Sequence, residues 1–193
     1  APLEDVADGS GHRAADEIRE RLRTLGYGHH ISLIDSGEAE FVRRVARSGF
    51  QDLAVDVGAH DGRYSRLLAQ SGFTSAIMIE PHPVHREALT ALGTETGYAT
   101  LGVAVSDIEG TAVLHFGTSD LQLASLEPGL DQLWFVDNDE TVEVPSTTLD
   151  AIWRAHGRPS IDLLKIDTEG WEREVLAGAA ELVMKLLAKD RAG

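Results

Sequence analysis

The sequence predicts an α/β fold built on a mostly parallel sheet. Short apolar runs, typical of buried strands, alternate along the chain with stretches whose apolar residues recur at helical spacing. That alternation supplies the right-handed crossovers that join parallel strands. One strand leads into a glycine turn and then a helix, which is how α/β folds bring backbone N–H groups up to a ligand. The length of 193 residues suits one domain with a substantial core.

The chain is expected to have a helical segment before its sheet. We assign residues 1–50 to this N-terminal helical segment and residues 51–193 to the sheet-containing domain. Residues 13–25 carry apolar side chains at helical spacing. Asp35 and Glu38 have the spacing of a capping pair for a second helix.

The first strand and its turn carry the clearest ligand signal. Residues 53–57 read as a strand that leads into Gly58-x-x-x-Gly62 and then into a helix over 64–70. A dinucleotide fingerprint needs Gly-x-Gly-x-x-Gly, whose crowded glycines admit a pyrophosphate. Asp56, at the end of the strand, would repel a diphosphate and attract a cationic amine. The turn therefore favours a zwitterionic, sulfonium-bearing cofactor over a dinucleotide.

A second acid supports that interpretation. The apolar strand over residues 76–79 ends in Glu80 and Pro81, and Glu80 comes 18 residues after Gly62. Nucleotide-binding α/β folds place a ribose-binding carboxylate at about 20 residues. An ionised carboxylate offers acceptors to a vicinal diol, while the proline stops the strand.

The next βα unit repeats the pattern. A helix is expected over residues 83–92, with Pro83 in its first turn, where the missing N–H costs nothing. A third strand is expected over residues 98–105, ending in Ser106 and Asp107. These two polar residues therefore fall at the carboxyl edge of the predicted sheet.

An inserted region follows the third strand. Two short β-like runs, residues 112–116 and 141–145, resemble a hairpin and flank a loop over 117–140. A long irregular stretch inside a compact domain is usually a lid or a binding loop. Its apolar side chains argue against simple disorder.

The last third of the chain supplies one more βα unit. Thr147 and Asp150 have the spacing of a capping box for a short helix. A fourth strand over 161–166 ends in Asp167, and a helical pattern covers 170–188.

Taken in order, these motifs resemble the FkbM-type methyltransferases, over roughly residues 41–179. The matching stretches are Asp56–Ser65, Glu80–Pro83, Gly102–Asp107, Thr147–Asp150 and Leu164–Glu172, the last followed by Val175-Leu176-Ala177-Gly178. That family consists of class I, S-adenosylmethionine-dependent enzymes, mostly O-methyltransferases that act on sugar or natural-product hydroxyls. The resemblance implies a Rossmann-like class I methyltransferase sheet, S-adenosylmethionine as cofactor and a small hydroxylated acceptor.

The resemblance also implies roles for the residues at the strand ends. Asp56 would help to hold the methionine amino group, Gly58 to Gly62 would wrap the methionine part, and Glu80 would bind the ribose. Ser106 and Asp107 would line the adenine pocket. The structural alternatives are a turn-capping Asp56, a solvated Glu80 and an ordinary Ser-Asp turn.

Methyl transfer to an alcohol benefits from a base, because the pKa of an alcohol lies far above 7. Asp167 ends the fourth strand at a crevice position of an open α/β sheet, which makes it the better candidate for the base. Glu169 is expected at the start of the next helix, whose dipole stabilises its charged form and lowers its basicity. Glu169 is therefore the candidate positioning residue, and a purely structural helix-terminal charge is the alternative.

Composition disfavours several other classes of protein. The net charge of −15 repels nucleic acid and anionic lipid. The absence of cysteine excludes disulfides, thiolate zinc sites and a cysteine nucleophile. No apolar run approaches the length of about 20 residues that spans a bilayer, and residues 1–10 lack the core of a signal peptide. We expect a cytoplasmic protein without nucleic-acid or membrane partners.

A metal site is not expected. His60, Asp61, His82 and His85 surround the predicted glycine turn, and hard cations prefer carboxylate oxygens. However, no Cys/His spacing of the zinc type occurs, and the second and third histidines suit a helix N-terminus. His60 also departs from the asparagine common at that place in the family.

The C-terminal part of the predicted sheet is short. Class I methyltransferases continue past the fourth strand and its helix with three more strands, whereas only residues 189–193 follow here. The C-terminal strands are therefore expected to be missing, in a natural short form or by truncation. An exposed fourth strand favours a homodimer, unless residues 117–145 fold back over that edge.

Two further functions compete with methyl transfer. A non-catalytic cofactor-binding or assembly module would follow from loss of the C-terminal strands. A nicotinamide-dependent oxidoreductase is disfavoured because the Gly-x-Gly-x-x-Gly fingerprint is missing.

Overall fold

The computed structural model describes residues 37–117, 124–126 and 140–189. The predicted helix over residues 13–25, the capping residue Asp35 and most of the predicted loop over 117–140 lie outside the described residues.

The chain divides into two compact units, Ala1–Arg43 and Arg44–Gly193. All described strands and all predicted site residues belong to the second unit. The domain boundary predicted at residue 50 stays a prediction.

The elements follow the α/β order that the sequence predicts. In chain order they are α1 (Glu38–Arg47), β1 (Leu53–Val57), α2 (Arg63–Gln70), β2 (Ser75–Ile79), a 3-10 helix (Pro83–His85), α3 (Arg86–Thr96), β3 (Ala99–Leu101), β4 (Ala104–Ser106), β5 (Gly110–Phe116), β6 (Glu140–Thr148), α4 (Leu149–Ala155), β7 (Leu163–Ile166), α5 (Glu172–Ala177) and α6 (Ala180–Lys189).

The main sheet has the strand order β3-β2-β1-β7, and its pairs are parallel. The chain moves outward from β1 through β2 to β3, and later returns to place β7 on the other side of β1. The strand order therefore reverses between β1 and β7. In open α/β sheets, ligands bind outside the carboxyl ends of the strands at such a switch point.

The β1 and β2 strands are buried on both faces, as expected for a parallel sheet covered by helices. One face contributes alternate residues to an apolar core that includes side chains of α4, α5 and α6. Its buried members include Val55, Val57, Ile77, Ile79, Leu149, Ile152, Trp153, Val175 and Leu182. This packing holds the carboxyl ends of β1 and β2 in place.

The predicted third strand is wrong as a single element. Gly102 and Val103 separate β3, in the main sheet, from β4, in a second sheet of order β4-β6-β5. Residue Leu101 still binds the main sheet, since its carbonyl accepts from the N–H of Glu80 at 3.0 Å. The apolar pattern is continuous there although the strand changes partners.

The predicted hairpin-like region is confirmed as the antiparallel pair β5 and β6. Its register places Leu114 opposite Val142. Leu114 packs with Ala104 and Val144 in a small separate core. The strand β6 also pairs in parallel with β4.

The capping box predicted for α4 is shifted by one residue. Thr148 is the N-cap, and its Oγ1 accepts from Ala151 N at 3.1 Å. The Asp150 carboxylate instead accepts from the N–H groups of Glu181 and Leu182, at 2.8 and 2.9 Å. Asp150 therefore caps α6.

The single helix predicted over residues 170–188 is also wrong. The chain forms α5 and α6, which are separated at Gly178 and Ala179. A side chain at Gly178 would collide with the carbonyl of Ser106. The break thus lets the backbone pack directly against the end of β4.

No helix within the described ranges combines the length and the apolar character needed to cross a membrane.

Candidate functional site

The turn after β1 lies directly against the end of β7. Gly58 has φ of 76° and follows β1 immediately. A Cβ at this position would collide with the backbone carbonyl of Asp167. Only glycine allows this close approach between the two strand ends at the switch point.

The second glycine, Gly62, allows the turn to pack closely against α3. Gly62 precedes α2 as its N-cap with φ of 83°, and a Cβ there would lie 2.8 Å from a methyl group of Leu92. The Gly-x-x-x-Gly spacing is therefore required by the backbone of the turn itself.

The first N–H groups of the turn are used within the chain. Gly58 N and Ala59 N both donate to the carbonyl of Ile79, at 2.9 and 3.0 Å. His60 N donates to Oε2 of Glu80 at 2.9 Å. These bonds fasten the β1 turn to the end of β2. The predicted role of Gly58 to Gly62 around the methionine part of a cofactor stays a prediction.

Asp56 is the fourth residue of β1 and its side chain is fully buried. Ser65 of α2 donates its hydroxyl to Oδ2 at 2.6 Å. Lys165 is the register partner of Asp56 on β7, and its Nζ lies 3.2 Å from Oδ1. This is an ion-pair distance, without the alignment of a hydrogen bond. Burial raises the pKa of Asp56, against the charge of Lys165 and the bond from Ser65.

The Lys165 ammonium joins the two central strands at their carboxyl ends. Nζ donates to the carbonyls of Gly58 at 2.6 Å and Val57 at 3.3 Å. It lies 3.6 Å from Oδ2 of Asp167 and 5.8 Å from the ring centroid of Tyr64. The side chain is 13% exposed, so the ammonium stands at the boundary between the core and the switch-point crevice.

Local sequence patterns predict no role for Lys165. The available signal was a charged residue inside the apolar strand over 161–166. Its significance depends on the register that sets it opposite Asp56. The Asp56 carboxylate and the Gly58 carbonyl already face the ammonium of Lys165. The predicted contact of Asp56 with a ligand amine stays a prediction.

Glu80 stands at the end of β2, and its carboxylate organises two turns. Oε2 accepts from His60 N, and Oε1 accepts from His82 N at 2.8 Å. Burial raises the pKa of Glu80, against the two N–H groups. Each oxygen keeps a further lone pair, which a hydroxyl can use. The ribose role of Glu80 stays a prediction.

The three histidines form an aromatic layer beside Glu80. The rings of His60 and His85 are tilted by 46° with their centroids 3.8 Å apart, and His82 meets Phe116 edge-on at 4.5 Å. Burial, together with the nearby His60, lowers the pKa of His82. In the part of the chain that the structure describes, no three His, Cys, Asp or Glu side chains are placed to hold a metal ion.

Asp167 follows β7, and its side chain is 62% exposed. Its N–H donates to the carbonyl of Val57 at 3.1 Å, which fixes the backbone at the end of β1. Asp167 therefore stands where the sequence predicts it, at the carboxyl end of the fourth parallel strand. Its role as a base stays a prediction.

The expected position of Glu169 at the helix start is wrong. Glu169 has φ of 51° in a turn, and α5 begins only at Glu172. Glu172 closes that turn by accepting from Thr168 N at 2.8 Å and Gly170 N at 3.2 Å. Partial burial acts to raise the pKa of Glu172, but the hydrogen bonds outweigh it and hold that pKa below its ordinary value.

Ser106 and Asp107 lie at the end of β4, in the second sheet rather than the main one. The Ser106 hydroxyl donates to Asp107 Oδ1 at 3.0 Å and accepts from Trp171 Nε1 at 3.2 Å. These bonds connect β4 to the turn before α5. The predicted adenine contact stays a prediction.

The family model described as the methyltransferase FkbM domain matches residues 56–189, which is most of the chain. The chain belongs to the FkbM methyltransferase family. FkbM membership confirms the resemblance seen in the sequence. The match begins at Asp56, within β1, and includes the glycine turn, Glu80, β7 and Asp167.

Among solved structures, this FkbM domain is similar to the crystal structure of methyltransferase FkbM from Methylobacillus flagellatus KT. The TM-score is 0.48 and the sequence identity is 15%, over 92% of this chain and 48% of that one. The chain thus spans about half the length of that protein. A comparison with curated proteins gave no match.

Gly58→Ala should destabilise the FkbM domain more than Gly157→Ala does. The φ angles of 76° and 80° mean that both substitutions place a Cβ in left-handed backbone, at about 1–2 kcal/mol each. Only at Gly58 does the Cβ also meet the Asp167 carbonyl, since nothing lies within 4 Å at Gly157. Urea unfolding measures both losses. Equal losses would mean that the β1 turn is free to move away from β7.

The wild-type domain should lose stability relative to Asp56→Asn as the pH rises from about 3.9, the ordinary pKa of an aspartate. Burial raises the pKa of Asp56, so the folded chain holds this proton to higher pH than the unfolded chain. Stability then falls with pH between the two pKa values and levels off above them. Urea unfolding between about pH 4 and pH 8 tests this, with the exposed Asp52→Asn as control. Parallel curves for wild type and Asp56→Asn would contradict it.

Proposed function

We propose that this FkbM domain is an S-adenosylmethionine-dependent O-methyltransferase that acts on a hydroxyl of a sugar or natural-product small molecule. The observation that carries the proposal is the convergence of Lys165, Asp167 and Glu80 beside the glycine turn. Lys165 and Asp167 stand at the carboxyl end of β7, and Glu80 stands at that of β2. The glycine turn after β1 lies between them, where the strand order reverses. Ligands of open α/β sheets bind at this place.

The residues at the strand ends fit such a methyl donor. S-adenosylmethionine supplies an electrophilic methyl group on a sulfonium, and it carries a charged amino-acid end and a ribose diol. The ammonium of Lys165 suits the charged amino-acid end, and the lone pairs of Glu80 suit the diol. The N–H groups of Gly58 and Ala59 are already bonded to Ile79, which disfavours a diphosphate cradle and hence a nicotinamide cofactor.

The chain's own groups supply positioning and a base. Holding an acceptor oxygen in line with the methyl group contributes up to about 7–11 kcal/mol. The exposed carboxylate of Asp167 takes the hydroxyl proton, and Glu169 positions the acceptor. Ser125 donates its hydroxyl to the Glu169 carbonyl at 2.7 Å, which ties this turn to the inserted region.

A non-catalytic cofactor-binding or assembly module is the second candidate function. Among the described residues, β7 pairs with β1 alone, and its other edge has no strand partner within those ranges. Nearby in sequence, α6 exposes Met184 and Leu187. Such edges recruit further strands. We propose a two-fold homodimer through β7 or α6, which sedimentation at micromolar concentration would detect.

Asp167→Asn should keep the affinity for S-adenosylhomocysteine while lowering turnover by about 10²–10⁴-fold, the contribution of a general base. Isothermal titration gives the affinity, and release of S-adenosylhomocysteine with a panel of hydroxylated acceptors gives the rate. The exposed Asp52→Asn serves as the matched control. Equal losses of affinity and rate would make Asp167 a cofactor ligand instead. Binding without turnover in the wild type would favour the assembly module.

A further inference from the structure

We propose that Lys165 binds the α-carboxylate of the methyl donor, in the place at Nζ that Asp167 holds in this structure. The inference rests on the proposed function and assigns a binding residue within the same site. Two observations support it. Nζ already contacts the oxygens that would suit a ligand amine, and its remaining side faces the exposed carboxylate of Asp167.

The oxygens that suit a ligand amine are taken by the chain itself. Nζ of Lys165 donates to the Gly58 carbonyl at 2.6 Å and lies 3.2 Å from the carboxylate of Asp56. A ligand ammonium at these oxygens would stand beside a second ammonium. Like charges at such distances repel, most strongly where water is excluded.

Lys165 is not free to leave this position. Asp56 is fully buried, and removal of its partner would leave an uncompensated charge in the core. The ammonium also bonds to the Val57 carbonyl at 3.3 Å. The charge on Nζ is therefore a fixed part of the site.

The open side of Nζ faces an exchangeable carboxylate. Asp167 Oδ2 lies 3.6 Å away, too far for a hydrogen bond, and the Asp167 side chain is 62% exposed, against 13% for Lys165. An anion can thus approach Nζ from the crevice, as Asp167 does. The carboxylate of a zwitterionic donor is an anion of the same kind.

Replacement of Asp167 by the donor carboxylate at Nζ also affects the proposed base, Asp167. When the donor carboxylate occupies Nζ, the Asp167 side chain is released from its ion pair with Lys165. Asp167 is then available to the acceptor hydroxyl only after the donor has bound. This order makes proton transfer depend on occupancy of the donor site.

The experiment compares ligands that differ by one charged group. Isothermal titration uses S-adenosylhomocysteine, its analogue without the α-carboxylate, its analogue without the α-amine, and 5′-methylthioadenosine, which lacks the amino-acid end. The proteins are the wild type, Asp56→Asn and the double variant Asp56→Asn/Lys165→Met. The double variant carries no unpaired buried charge, and Asp56→Asn is its matched control because it keeps Lys165.

We expect loss of the carboxylate to weaken binding to the wild type and to Asp56→Asn by about 10–150-fold, the range of one charged hydrogen bond. The double variant should bind S-adenosylhomocysteine as weakly as the wild type binds the analogue without the carboxylate. It should no longer distinguish those two ligands. Lys165→Arg in the wild-type background should keep part of the discrimination.

Two results would overturn the inference. One is a double variant that weakens all four ligands alike, which would make Lys165 a purely structural residue. The other is a loss of affinity that Lys165 causes through the α-amine of the ligand rather than through its α-carboxylate. If the wild type binds neither S-adenosylhomocysteine nor 5′-methylthioadenosine, the proposed function itself fails, and the inference with it.

Discussion

The ion pair between Asp56 and Lys165 is the constraint on which the site depends. Asp56 lies fully buried in β1, an interior strand of the main sheet, and needs an opposite charge in that environment. The parallel register of β1 and β7 supplies that charge from the directly adjacent strand. Replacing both members of such a pair by well-packed residues is often tolerated, whereas removing one leaves a buried charge alone. The pair therefore favours β7 as the neighbour of β1.

The geometry at the switch point follows from this pairing. With β7 beside β1, the Gly58 turn meets the backbone of Asp167, which leaves no room for a side chain at that glycine. The lysine then reaches the last carbonyls of β1, and Ser65 ties α2 to the same carboxylate. The charges that remain accessible, on Lys165 and Asp167, stand together at the crevice. A buried structural pair thus places a charged surface at the switch point of this FkbM domain.

Local patterns in the sequence predicted most of the main sheet. The first, second and fourth strands are short apolar runs, and each is confirmed with bounds close to those expected. The glycine turn and Glu80 were also found, because backbone sterics and strand-end acids leave a local signal. The positions of Asp56, Glu80 and Asp167 near the carboxyl edge follow directly from strand direction.

The sequence-based predictions were wrong where tertiary contacts determine the structure. The apolar run over residues 98–105 gives no sign that its two halves pair with different sheets. The break in the last helix depends on the approach of Gly178 to Ser106, and the true partner of Asp150 lies a helix away. The same holds for Lys165, whose importance comes from the strand register. Helical or strand periodicity contains no information about such contacts.

A double-mutant cycle on stability tests the central claim most directly. It compares the free energies of unfolding of the wild type, Asp56→Asn, Lys165→Met and the double variant. The account predicts that Lys165→Met alone costs about 3–5 kcal/mol and that adding Asp56→Asn recovers a large part of the loss. Additive single effects, within about 0.5 kcal/mol, would mean that the two side chains do not depend on each other, and would contradict the account.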